Sequence, residues 1–147
     1  ASQAEVFVSV GDAVEVEVRE GQVEKLEGAQ SGSISFTAFL GKRKASMGST
    51  DFRRRPLTKL VRETIAMARD AQEDDCAGLP DPKYLAKNVQ PIAGMMDESL
   101  AATPTERKIE LAIALEKAAL ATDPRIGVGR STGFSDSVSY RVYANSH

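Results

Sequence analysis

The sequence predicts an α+β fold: an antiparallel sheet of about five to seven strands, a meander first and two closing strands last, with two main helices packed on one face. Three observations predict it. Apolar residues alternate over residues 1–50, recur at spacings of three and four over residues 51–70 and 104–122, and alternate again over residues 126–144. A length of 147 residues suits one hydrophobic core, so residues 1–147 read as a single domain.

In the first stretch Val6, Val8 and Val10, then Val14, Val16 and Val18, then Ile34, Phe36 and Ala38 fall at every second position, which turns one face of each strand inward. Turn chemistry separates these runs at Gly11-Asp12, Glu20-Gly21, Gly28 with Ser31-Gly32, and Gly41-Lys42, so the meander divides into about five short strands. Leu57, Leu60, Val61, Thr64, Ile65 and Ala68 then make one side of a helix apolar. Asp51 is placed to cap its start, and Pro56 fits the first turn, where a missing N–H costs little. The acidic run after Arg69 opposes the negative end of the helix dipole and stops the helix there.

Residues 71–99 hold Gly78, Pro80, Pro82, Pro91 and Gly94 among polar residues and read as a long connection with one helical turn near Tyr84 to Lys87. Thr103 as N-cap, Pro104 at N1 and Glu106 at N3 open the second helix. Its apolar residues are Ile109, Leu111, Ala112, Ile113, Leu115, Ala119 and Leu120, and Asp123-Pro124 stops it. Ile126 to Arg130 and Ser137 to Ala144 read as the two closing strands around a Ser131-Thr132-Gly133 turn, with Val138, Tyr140 and Val142 on one face.

Composition narrows the function classes. Hydrophobic residues at 41% and charged residues at 27% are ordinary globular usage, which argues against disorder. A net charge of -2 gives no overall positive field to draw the chain to nucleic acid or to an anionic membrane. The one cysteine, Cys76, forms no internal disulfide, and no stretch is long and apolar enough to read as a spanning helix or leader, so the expected location is the cytoplasm. Ala1 is not an initiator Met, and the chain stops directly after a strand-like stretch, so a piece of a longer protein is expected.

The groups that could carry chemistry each have a plainer reading. His147 stands alone without neighbours to orient it as base or ligand, and no His-Glu-x-x-His pair or related zinc motif occurs. Gly127 and Gly129 make a Gly-x-Gly, but Gly133 lies four residues past Gly129, so no phosphate-cradling motif forms. Glu15 with Glu17, and Glu24 with Glu27, fall where alternation turns polar side chains to water. Carboxylates crowd Cys76 in Glu73-Asp74-Asp75-Cys76, which disfavours a thiolate. Lys42, Arg43 and Lys44, with Arg53, Arg54 and Arg55, could gather into one positive patch, the only nucleic-acid cue; it lacks interleaved aromatics, and lysines on a strand edge already have a use in blocking edge pairing. No catalytic, cofactor-binding or metal-binding residue is therefore assigned.

The order of particular residues resembles the N-terminal region of the TldD/PmbA family, once called modulators of DNA gyrase, and more closely its PmbA (TldE) branch. The resemblance runs through Gly21-Gln22-Val23-Glu24, the hairpin Gly41-Lys42-Arg43-Lys44-Ala45-Ser46-Met47-Gly48-Ser49-Thr50-Asp51, Ala66-Met67-Ala68-Arg69 and Cys76-Ala77-Gly78-Leu79-Pro80-Asp81. It continues through Glu116-Lys117-Ala118-Ala119-Leu120-Ala121-Thr122-Asp123-Pro124-Arg125-Ile126 to Asn145-Ser146-His147. The chain departs from the family pattern at Arg53-Arg54-Arg55, where a Ser-Pro-Glu type of helix start is usual, and at Ala93-Gly94-Met95-Met96, where an acidic pattern is common.

What the resemblance implies is a metalloprotease in which TldD-like and PmbA-like subunits pair and act on peptide or unfolded protein substrates. In that family zinc is held by the TldD-like partner, whose His-Glu-x-x-x-His motif lies downstream of the region matched here, so no catalytic position transfers to this chain. The expectation is a scaffold and assembly domain of a PmbA-like subunit, oligomeric in its full-length form. The alternative is a DNA- or gyrase-interacting module using Arg53 to Arg55 and Lys42 to Lys44. An independent hydrolase with a Ser or Thr nucleophile lacks a base.

Overall fold

The computed structural model describes residues 1–127 and 131–147. Strands β1 (Gln3–Arg19), β2 (Gln22–Leu40) and β3 (Arg43–Ser49) come first, then helix α1 (Arg54–Asp70), a 3₁₀ turn at Pro82–Tyr84, the short helix α2 (Glu98–Ala101), helix α3 (Thr105–Thr122) and strand β4 (Thr132–Asn145). The strands form one antiparallel sheet in the order β3-β2-β1-β4, so β3 and β4 are its edges. The fold class is the expected α+β, but the sheet has four strands among the described residues rather than five to seven.

The difference lies in how glycine was read. Only Glu20-Gly21 and Gly41-Lys42 turn the chain: Glu20 and Gly21 both take positive φ, of 53° and 75°, and Gly41 takes 62°, as tight hairpins of the primed types require. Gly11, Gly28 and Gly32 sit inside continuous strands. A Cβ on Gly11 would stand 2.9 Å from the Val138 carbonyl oxygen, and one on Gly32 would stand 2.8 Å from the Phe52 ring. These two glycines admit a close neighbour instead of bending the backbone. The strand expected at Ile126 to Arg130 falls partly on residues 128–130, outside the described residues; Ser131-Thr132-Gly133 makes no turn within a strand pair, because Thr132 already begins β4.

The chain falls into two compact units, and three of the strands contribute to both. The first unit comprises Ala1–Val10, Ser31–Pro91 and Tyr140–His147. Its core joins Phe36 and Ala38 of β2 to Leu60 and Ala68 of α1, with Val6, Met47, Leu57 and Ile65 packed around them. β2 and β3 pair in register from Ile34 opposite Ser49 to Leu40 opposite Arg43. Leu57, Leu60, Thr64 and Ala68 repeat at three and four residues, which turns them to one side, and the buried Thr64 hydroxyl donates to the Leu60 carbonyl at 2.7 Å. Val61, expected on that face, is 37% exposed.

Two cap assignments change. Arg53, not Asp51, is the N-cap of α1 and makes no side-chain cap bond; Asp51 instead accepts from the Arg53 backbone N–H at 2.9 Å in a turn ahead of the helix. In α3 the N-cap is Pro104, also without a side-chain cap bond, because the Thr103 hydroxyl donates to the Ser99 carbonyl at 2.9 Å. The turn expected near Tyr84 to Lys87 lies earlier, at Pro82–Tyr84, where the Asp81 carboxylate accepts from the Lys83 N–H.

The second unit comprises Gly11–Gln30 and Ile92–Ser139. Its core is small: Val16 and Val18 of β1 with Ala112 of α3, surrounded by Val14, Ile109, Ile113 and Phe134. Helix α2, which the sequence reading leaves as loop, starts on Asp97, whose carboxylate accepts from the Ser99 and Leu100 N–H groups. Leu111 and Leu115, expected in the apolar face of α3, are 38% and 55% exposed, and Lys108 and Glu116 are buried in their place.

Candidate interaction surface

The groups that the sequence places on β3 and at the entrance of α1 do not form one free positive patch. Lys42 pairs with Asp75, Arg43 with Glu73 at 3.3 Å, and Lys44 with Asp74 at 3.6 Å. The Asp74 N–H donates to the Lys42 carbonyl at 2.8 Å, and Arg43 also donates to the Arg69 carbonyl at 2.8 Å. The acidic run that ends α1 therefore supplies the counter-charges of the β3 edge strand. Arg53 grips Asp51, its Nη2 at 2.6 Å, and that contact first among causes holds the Asp51 carboxyl below its ordinary value. Arg54 and Arg55 line an exposed groove on α1 with Arg62.

The carboxylate pairs are likewise dispersed among cations. Lys25 lies 2.7 Å from Glu15 and 2.9 Å from Glu27; hydrogen bonds to these two acids raise its pKa, and the bond to Lys25 lowers that of Glu27. Glu24 pairs with Arg19 at 3.6 Å, and Glu17 accepts from the Ser131 hydroxyl at 3.0 Å. An open cleft of about 450 Å³ is lined by Ala13, Glu15, Glu27, Ala29, Ser135 and Asp136, among others; Lys25 holds Glu15 and Glu27, and Lys108 holds Asp136. Cys76 is exposed, with its N–H on Asp74, and His147 is exposed, with its N–H on Asn145. Gly127 meets nothing within 4 Å of a built Cβ, and Gly129 lies outside the described residues.

The buried ionisable groups escaped the sequence reading. Lys108 is 4% exposed and places its Nζ 2.9 Å from both carboxylate oxygens of Asp136 on β4. Glu116, two turns along α3 and 5% exposed, accepts from the backbone N–H groups of Glu20 and Gly21 at 3.0 and 2.7 Å. It satisfies the tip of the β1-β2 hairpin, where a turn leaves donors without ladder partners. The signal available in the sequence is the spacing 108, 112, 116, one stripe of a helix with an alanine between the two charges.

Among the described residues no group of three or more His, Cys, Asp or Glu side chains is arranged to hold a metal ion. Nor is any helix among them long and apolar enough to cross a membrane. The fold is α+β, and the buried polar groups Thr37, Thr64, Lys108 and Glu116 each have a partner within it.

Comparison with known proteins makes the assignment specific. A family model described as PmbA/TldA metallopeptidase domain 1 matches residues 4–68, and one described as the central domain of the same metallopeptidases matches residues 98–147. The metalloprotease PmbA of Escherichia coli O157:H7 is 33% identical over 144 residues, which cover 98% of this chain and 31% of that protein. A metalloprotease PmbA homolog of Haemophilus influenzae is 27% identical over 146 residues, 99% of this chain and 32% of that one. Among solved structures, a Bacteroides thetaiotaomicron protein named as a modulator of DNA gyrase superposes with a TM-score of 0.78 at 25% identity, over 97% of this chain and 32% of that one. TldE from Thermococcus kodakarensis gives 0.74 at 17% identity, over 99% of this chain and 32% of that one, a likeness of fold. The chain belongs to the PmbA/TldD metallopeptidase family. It spans about a third of the length of the relatives it matches.

Proposed function

We propose that the chain is the scaffold and assembly portion of a PmbA-like subunit, working with a zinc-bearing TldD-like partner subunit on peptide or unfolded protein substrates. The observation that carries this reading is the 33% identity to metalloprotease PmbA along nearly the whole chain. Donor chemistry supports the division of labour: Lys108, Asp136 and Glu116 spend their polar atoms on the fold, and the described residues offer no metal-binding group. The chain acts through main chain and surface.

Substrate engages an open strand edge, where main-chain bonds give affinity without demanding a particular sequence. Of the two edges, β3 carries Arg43 and Lys44, and the Lys42 carbonyl in the turn before it already accepts from the Asp74 N–H. β4 offers 14 residues without lysine or proline, the usual guards against pairing. The test uses the longer protein that carries this chain, mixed with its TldD-like subunit. Size-exclusion mass measurement gives a joint complex that cleaves peptides, and removal of residues 1–145 abolishes both assembly and cleavage. Survival of both activities in the truncated protein overturns the reading. The DNA- or gyrase-binding alternative draws less support, since Lys42, Arg43, Lys44 and Arg53 are already paired with acids.

A further inference from the structure

Helix α1 carries an unbalanced charge beside an apolar groove. In the first unit Lys42, Arg43, Lys44, Arg53 and Lys83 each face a carboxylate, whereas Arg54, Arg55 and Arg62 have no acidic partner among the described residues. Arg54 and Arg62 flank a groove of about 560 Å³ lined by Phe52, Leu57, Thr58 and Val61. Phe52 and Val61 stay 42% and 37% exposed there, although the Phe52 ring is seated against Gly32 and Leu57 against the core. Arg54, Thr58 and Arg62 also line a second groove of about 660 Å³, which adds Arg55 and the ion-paired Lys59 and Glu63. The Thr58 hydroxyl is spent on the Arg54 carbonyl at 2.8 Å, so the polar recognition left in the first groove is cationic.

We propose that this groove docks an extended acidic segment of a protein partner: one large apolar side chain on Phe52, Leu57 and Val61, with a carboxylate on either side for Arg54 and Arg62. Eight residues of helix separate the two arginines by about 12 Å. An extended chain covers that distance in about four residues, and positions i, i+2 and i+4 share one face. The pattern that fits is therefore acid, any, apolar, any, acid. Exposed ion pairs alone give about 0–1 kcal/mol each, so the apolar anchor must supply much of the affinity. That requirement favours a peptide over nucleic acid, which would meet the arginines with phosphates and stack a base on Phe52 but leave the aliphatic Leu57 and Val61 idle. The groove's occupant is independent of the assembly proposed above, because the test needs only this chain.

The probe is a fluorescein-labelled peptide Gly-Glu-Ser-Phe-Ser-Glu-Gly, titrated with the 147-residue chain by fluorescence anisotropy at 50 and 300 mM NaCl. Saturable binding is expected. R54Q/R62Q and, separately, V61D should each weaken it by about tenfold or more, as should replacing the peptide's Phe by Ala. The substituted side chains are exposed, so circular dichroism should show the variants folded, and R55Q tests the neighbouring groove with little effect on binding expected. The proposal is overturned if no binding is seen at 1 mM chain, if the Ala peptide binds as well as the Phe peptide, or if V61D leaves affinity unchanged. It is equally overturned if a labelled oligothymidylate binds the same groove more tightly and is lost with R54Q/R62Q.

Discussion

Removing the Asp136 carboxylate, as in D136A, should leave the Lys108 ammonium in a place it cannot share with water. The two side chains are 5% and 7% exposed, and the ammonium meets both oxygens at 2.9 Å. Breaking a pair of this kind from one side costs about 3–5 kcal/mol, because the remaining charge keeps its desolvation penalty and loses its compensation. With about 2–4 °C of melting temperature per kcal/mol for a chain of this size, D136A should melt roughly 6–20 °C lower than the parent. K108M/D136L removes both charges and should recover most of that loss. Urea unfolding of the parent, K108M, D136L and K108M/D136L, followed by circular dichroism, gives the coupling energy of the cycle. A D136A cost below about 1 kcal/mol, the range of an exposed pair, would refute the reasoning. So would a double variant no more stable than the worse single one.

Three further outcomes follow from the same geometry. E116A strips the acceptor from the Glu20 and Gly21 N–H groups and should cost about 1.5–3 kcal/mol, with faster hydrogen exchange at those two amides; unchanged exchange would show that the clamp is idle. G11A drives a Cβ to 2.9 Å from the Val138 carbonyl oxygen and should cost about 1–3 kcal/mol, whereas G28A meets nothing within 4 Å and should stay within about 0.5 kcal/mol of the parent in urea unfolding. The Asp97 carboxyl is held below its ordinary value of 3.8, first by the hydrogen bond from the Ser99 hydroxyl and then by the Leu100 and Ser99 N–H groups. A depressed folded-state pKa means that its contribution is present above the unfolded value and is lost as pH falls through the folded one. In an NMR titration the Ser99 and Leu100 amide signals should therefore move with a midpoint below 3.8, and a midpoint at or above it would count against the cap.

The sequence carried the kind and order of the main elements well, because period is a direct readout of which side chains face a core. Val14, Val16 and Val18 alternate and are packed; Leu57, Leu60, Thr64 and Ala68 step by three and four and are packed. Glycine was the weak signal. At Gly21 and Gly41 it supplies positive φ, at Gly11 and Gly32 it makes room for a neighbour, and a turn-like local sequence does not distinguish the two uses. Charge was weak for a related reason. Lys44 and Lys108 are the same side chain, yet one lies on an exposed edge and the other on the buried face of a helix, and only Asp136, 28 residues away in sequence from Lys108, decides the second case. The partners of Lys42 to Lys44 are visible as an acidic run at Glu73 to Asp75, but local pattern relates that run only to the helix end and to Cys76, not to an edge strand much earlier in the chain.

The second unit buries few large apolar side chains, which raises the question of what fixes α3 along its own axis. Val16, Val18 and Ala112 are small and smooth, and an apolar contact of that kind tolerates sliding, whereas hydrogen bonds to charged groups do not. Lys108 and Glu116 lie eight residues apart, about 12 Å along the helix, and each meets a different strand element: Asp136 on β4 and the turn between β1 and β2. A slip of one helical turn, about 5.4 Å, would break both attachments at once. K108M/D136L combined with E116Q, which keeps one acceptor oxygen but turns an amide NH2 toward the other backbone N–H, should lose further stability, no more than the about 1.5–3 kcal/mol expected of E116A, and give broadened amide NMR signals along α3. Sharp, single signals throughout α3 in that triple variant would mean that Val16, Val18 and Ala112 alone set the position of the helix.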